Sequence, residues 1–151
     1  MKRSLDSEIV EAAVRISTFL SPTPILQSVP LSQRFDATVV LKLENEQVTG
    51  SFKARGAMNK MLLLTDEERK KGIVTASSGN HGAAVAFSAK SLGCTATVFV
   101  PESAAEIKKQ AIRQLGGQVV VAGADCVETE IMARNTAEEQ GIAYIPPYTD
   151  I

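Results

Sequence analysis

The chain reads as an α/β protein: a small domain with a parallel sheet and flanking helices, joined to an N-terminal section with a strand and helices of its own. Three features of the sequence predict this. From Asp66 onward, short runs rich in Val, Ile and Thr alternate with segments of 3.6-residue apolar periodicity, most of them followed by a glycine. Such alternation implies a parallel sheet with right-handed crossovers. Ahead of it, a short apolar run, a polar turn and a helical pattern succeed one another between residues 39 and 64, and residues 4–20 carry a helical stripe of their own.

In chain order, the stripe of Ile9, Val10, Ala13, Ile16 and Leu20 predicts a helix over 4–20, with Asp6 or Ser7 near its cap. Pro22 and Pro24 then hold SPTPILQS extended. A strand is predicted over 39–43, a turn at Thr49-Gly50, and a helix over 51–64 with the Ser51 hydroxyl as its N-cap. The alternating region predicts strands over 73–76, 95–100, 118–121 and 142–145. Helices are predicted over 80–92, 104–115 and 126–140, with Gly93, Gly116 and Gly141 as stops. Pro101 follows a strand directly and opens a loop, where its missing N–H costs little. These elements divide the chain into a first section, 1–69, and a small α/β domain, 70–147.

Composition narrows the function classes. The 151 residues are 44% hydrophobic with a formal net charge of −1, which offers no basic field for nucleic acid. The runs 66–71 and Lys108-Lys109 read as solvated faces. Cys94 and Cys126 stand far apart without CxxC spacing, so no zinc site or disulfide framework is expected, no metal ligand is assigned, and both read as packing residues. No apolar run reaches transmembrane length, and the start turns acidic directly after Lys2-Arg3, unlike a leader. A cytoplasmic protein, touching neither membrane nor nucleic acid, is expected.

Two segments carry chemistry. In SFKARGA (51–57), Lys53 stands where a helix begins. The helix macrodipole disfavours an ammonium there and favours the neutral amine that condenses with an aldehyde. A solvated surface lysine is the plain alternative, opposed by apolar Phe52 and Ala57 and by Gly50 and Gly56, which admit close approach. In TASSGNHGAAVA (75–86), a buried strand, a Ser-Ser-Gly-Asn turn and a helix N-terminus present hydroxyls and unpaired amides to an anion such as a carboxylate. A well-capped βα turn with no ligand is the alternative. His81, the only histidine, lacks the G-x-S-x-G setting of a nucleophile elbow and reads equally as a binding or a structural residue.

These motifs resemble those of the fold-type II pyridoxal-phosphate enzymes, and SFKARGA is similar to the threonine/serine dehydratase and serine racemase branch. Ala54-Arg55 stands where related synthases usually carry an aspartate after the lysine. The resemblance implies pyridoxal 5'-phosphate as cofactor and a small amino-acid substrate. It implies Lys53 as the cofactor-bonding and catalytic lysine, and Phe52 and Asn80 as cofactor contacts. Ser77, Ser78, Gly79, Asn80 and His81 would hold the substrate carboxylate. The implied activity is an ammonia-lyase converting threonine, serine or a related hydroxy-amino acid to a 2-oxo acid and ammonia. Ser78, which matches the racemase serine acting on the opposite substrate face, keeps racemisation open and counts as the second catalytic candidate. A homo-oligomer is expected. Enzymes of this kind run to about twice this length, and their glycine-rich phosphate loop has no counterpart here, so the chain is expected to be a fragment or truncated form. The resemblance then implies that 1–69 is the incomplete N-terminal part of a second α/β domain, that 148–151 starts the return to it, and that the active site lies between 1–69 and 70–147. A non-catalytic module is the remaining alternative. On that basis, the first helix and the lysine helix are expected to leave apolar faces uncovered.

Overall fold

The computed structural model describes residues 4–148; of the predicted return at 148–151, residues 149–151 lie outside them. The chain opens with α1 (Leu5–Ile16), β1 (Ile25–Gln27), α2 (Val29–Phe35) and β2 (Val40–Lys42), then α3 (Lys53–Leu62) and α4 (Asp66–Lys70). It continues as β3 (Ile73–Ala76), α5 (Asn80–Ser91), β4 (Ala96–Val100), α6 (Glu106–Gln114), β5 (Gln118–Val121), α7 (Cys126–Gln140) and β6 (Ala143–Tyr144). No helix among the described residues is long and apolar enough to cross a membrane.

The predicted βα alternation forms one four-stranded sheet in the order β5-β4-β3-β6, parallel throughout. Side chains alternate across it. Ile73, Ala96, Val98 and Val100 face α5 and α6, packing on Ala84, Val85, Ala89 and Ile112, while Val74, Ala76 and Phe99 face Ala133 and Ala137 of α7. Burial on both faces is why β3 reads as a continuous apolar run. The stops Gly93, Gly116 and Gly141 take left-handed φ of 69°, 96° and 61°. Helix α3 lies over α5: its Ala57 and Met61 enter the sheet core, and its Ala54 and Met58 pack on Ile16 and Leu20 at the end of α1.

The strand order places β4 on one side of β3 and β6 on the other. The strand order thus reverses at β3, and the crevice outside the carboxyl ends of strands at such a reversal is where open α/β sheets bind ligands.

Several expectations change. Ser4, not Asp6 or Ser7, caps α1, because its backbone is extended (φ −75°, ψ 145°) and its Oγ accepts from Ser7 N. Of the α1 stripe only Ile16 and Leu20 are buried; Ile9 and Val10 are exposed. The lysine helix, by contrast, is covered, since α5 and α1 pack on its apolar side. Cys126 is exposed because it opens α7 rather than facing the core, while Cys94 is half-buried. The segment 29–35, not predicted as regular, is a helix with Ser28 as cap and Pro30 in its first turn, a start signal present in the sequence. β1 pairs antiparallel with β2, a partnership no periodicity could specify.

Candidate active site

Lys53 is the first residue of α3. Its N-cap, Phe52, already has helical angles (φ −63°, ψ −17°) and makes no side-chain cap. A capping hydroxyl needs an extended backbone to reach first-turn N–H groups, so Ser51 is not the cap it was expected to be. Among the described residues, Ser51 Oγ and Thr49 Oγ1 are buried without hydrogen-bond partners. Lys53 Nζ donates to the Pro147 carbonyl at 2.8 Å and lies 5.6 Å from the centroid of the largely exposed Phe52 ring.

The acceptor belongs to the segment that leaves β6. Ile145 is fixed there from every direction: its side chain is buried and its N–H donates to the Val74 carbonyl at 2.9 Å. Its own carbonyl accepts from Thr75 Oγ1 at 2.7 Å and from His81 Nε2 at 3.1 Å. A carbonyl oxygen can only accept, so Nε2 carries the ring hydrogen. Burial pushes the His81 pKa below the ordinary imidazole range; the Ile145 carbonyl opposes this and the Lys53 charge adds to it. The ring is consequently neutral near pH 7.

The Ser77–Gly79 turn follows β3, and α5 starts at once with Gly79 as an N-cap that makes no side-chain bond. The amides of its first turn are therefore left for solvent or an anion. Ser77 Oγ accepts from Gly79 N at 3.2 Å and so braces the turn itself. Gly82 lets the helix come this close, because a Cβ there would stand 2.1 Å from the Ser77 carbonyl oxygen.

Phe52, Lys53 and His81 line one cleft of about 280 Å³ with residues 145–148. Ser77, Ser78 and Gly79 line a smaller one of about 110 Å³ that shares Pro147 and Tyr148 as a wall. Asn80 borders neither; with Ser78 and Gly79 it edges a groove that also holds Thr49 and Lys108. The six predicted positions other than Asn80 thus gather on two sides of the 147–148 segment, and Asn80 lies on the adjoining groove. No cluster of His, Cys, Asp and Glu able to hold a metal ion occurs among the described residues.

Beyond the predicted residues, the site depends on Thr75, Gly82, the 145–148 segment and Arg55. Arg55 grips Glu44 with two bonds of 2.9 Å, and Thr23 Oγ1 donates to the same carboxylate at 2.6 Å. Arg55 above all, with Thr23 and Lys42, holds the Glu44 carboxyl down at about 2 against the effect of burial. This network ties the first turn of α3 to the segment after β2 and so sets where Lys53 begins. Only the opposite charges of Glu44 and Arg55 hinted at it in the sequence.

An amine and the uncapped start of α5 thus come together about the 145–148 segment at the carboxyl ends of β3 and β6, the region where open α/β sheets take ligands. The family model described as pyridoxal-phosphate dependent enzyme matches residues 16–151, and the chain belongs to that family. A catabolic L-threonine dehydratase (TdcB) of Staphylococcus aureus is 45% identical over 144 residues, which make up 95% of this chain and 42% of that protein. Among solved structures, the processed form of threonine deaminase isoform 2 from Solanum lycopersicum is similar with a TM-score of 0.88 at 36% identity, covering 97% of this chain and 44% of that one. Maize serine racemase is similar with a TM-score of 0.89 at 35% identity, covering 95% and 44%. The chain spans less than half the length of these relatives.

Proposed function

We propose that this chain is the lysine-bearing part of a pyridoxal-phosphate-dependent ammonia-lyase that dehydrates threonine, serine or a related hydroxy-amino acid to a 2-oxo acid and ammonia. The observation that carries the reading is Lys53 Nζ at the mouth of the β3/β6 crevice, with the 77–81 turn beside it. The similarity to a threonine dehydratase and a threonine deaminase supports the choice of reaction.

The residues present fit the cofactor. Lys53 supplies the amine for its aldehyde, the exposed Phe52 ring a face for its ring, and the exposed Asn80 a side-chain amide at the edge of the turn. The unpartnered hydroxyls of Thr49 and Ser51 add polar atoms close to Lys53 in the chain. Bonded there, pyridoxal phosphate would act as an electron sink that makes the α-proton of an amino acid acidic. The first-turn amides of α5 would bind the substrate carboxylate, helped by the positive end of the helix. Lys53 Nζ would take the α-proton. Ser78, which edges both the smaller cleft and the adjoining groove, would act from the other side of a bound amino acid, and it carries the racemase reading. The 1–69 and 70–147 sections are read as meeting at this cleft. The whole protein is read as a cytoplasmic homo-oligomer, with the exposed Leu5, Val10 and Val14 of α1 as an apolar face for association.

Borohydride reduction after addition of pyridoxal phosphate, followed by peptide mapping, tests the assignment. The expected label is on Lys53 and absent from Lys53→Ala; a label spread evenly over surface lysines refutes it. In the whole protein, release of 2-oxo acid against production of D-amino acid separates lyase from racemase. Ser78→Ala should remove only the second.

A further inference from the structure

We propose that Thr75 and His81 are positioning residues for Lys53, acting through a rigid strut formed by Pro146 and Pro147. The inference rests on reading Lys53 as the reactive amine, and it assigns His81 a duty other than holding substrate.

The relay is continuous. Thr75 Oγ1, from the last turn of β3, and His81 Nε2, from the first turn of α5, converge on the Ile145 carbonyl at 2.7 and 3.1 Å. Thr75 is fully buried and His81 nearly so, and the Ile145 N–H is held by Val74, so this peptide has little freedom. The next two residues are both proline. Each locks its own φ near −65°, and Pro146 is further restricted by preceding a proline, so a displacement at Ile145 is passed on instead of being absorbed. The strut ends at the Pro147 carbonyl, which receives Lys53 Nζ at 2.8 Å. Lys53 has no other hydrogen-bond partner among the described residues, so a long side chain with much rotamer freedom is oriented by that carbonyl. His81 also lines the Lys53 cleft, but its one ring N–H, at Nε2, is spent on the strut.

The chain labelled with nitrogen-15 provides the test. Its lysine ammonium signals are recorded in mildly acidic buffer, with Lys53 identified by its disappearance in Lys53→Ala. The Lys53 signal should exchange with water more slowly than those of exposed lysines. Thr75→Val and His81→Phe keep volume but remove the donor, and each should speed exchange at Lys53 by about tenfold or more, the scale of losing a hydrogen bond to a charged group. Thr75→Ser and His81→Gln keep a donor and should retain protection. Pro146→Gly leaves both donors in place yet should also release Lys53, an effect that a purely structural role for His81 does not produce. Unchanged Lys53 protection in folded His81→Phe and Pro146→Gly overturns the relay. Each variant's melting curve reports folding, and loss of any one leaves the others decisive. The borohydride label reads the amine assignment separately, so a protected Lys53 that takes no label defeats that reading and not the relay.

Discussion

Gly82→Ala offers a test in which helix propensity and packing predict opposite signs. Gly82 lies inside α5 with ordinary helical angles, where exchanging glycine for alanine in a solvated helix gains about 1 kcal/mol. Here the new Cβ would stand 2.1 Å from the Ser77 carbonyl oxygen, 3.2 Å from its carbon and 3.0 Å from Val98 Cγ1. The first of these is more than 1 Å inside the contact distance of about 3.5 Å. Neither neighbour can yield cheaply. Ser77 N is bonded to the Phe99 carbonyl at the end of β4, and Val98 is completely buried. Overpacking of this kind costs about 1–3 kcal/mol when side chains can adjust, and more against fixed backbone, so a net loss of about 2–4 kcal/mol is expected. At about 2–4 °C per kcal/mol for a chain of this size, the melting temperature should fall by roughly 5–15 °C. Thermal and urea melts followed by circular dichroism measure it. Ala83→Gly, in the same turn, is the control, and should cost about 1 kcal/mol through propensity alone. A Gly82→Ala chain as stable as the parent, or more so, would show that the approach of α5 to the 77–79 turn is not what requires glycine.

Two pH effects follow from the site's electrostatics. The folded pKa of Glu44 is depressed to about 2, so its stabilisation is complete above its ordinary value of 4.5 and is lost as pH falls toward 2. Arg55→Ala should flatten that part of a melting-temperature profile, and an unchanged acid limb would place the effect elsewhere. His81 is depressed as well, but as a base. The unfolded chain binds the proton first, so stability should rise with pH through the region just below 6.5 and level off above it. His81→Gln should remove this rise; a profile that falls with pH in wild type would contradict the buried neutral ring.

Strand β3 was legible because burial on both faces leaves an apolar run, and β5, a mostly exposed edge strand, because its three valines stand between Gly117 and Gly123; 73–76 and 118–121 match their predicted limits residue for residue. Helix α7 was equally clear, with the Asp125 carboxylate accepting from Val127 N and Glu128 N and Gly141 closing its end. Less legible were features set by partners distant in sequence. The α1 stripe marked a face that wants covering but not what covers it, and the Ser51 hydroxyl resembled a cap until the backbone at Phe52 proved to be already helical. His81 was ambiguous because a lone histidine at a helix start looks the same whether its ring meets a ligand or, as here, a carbonyl 64 residues away.

By itself the sequence determined the local chemistry: an amine at a helix start, a hydroxyl-rich turn ahead of an uncapped helix, and a βα alternation that can close only as a parallel sheet. These follow from short-range spacing, which the order of residues contains in full. Tertiary structure alone decided what the amine faces. Lys53 and Pro147 are 94 residues apart and become hydrogen-bonded neighbours only because β6 joins the sheet beside β3, bringing the 145–148 segment across the cleft. That pairing is a property of strand order, and no local pattern encodes it.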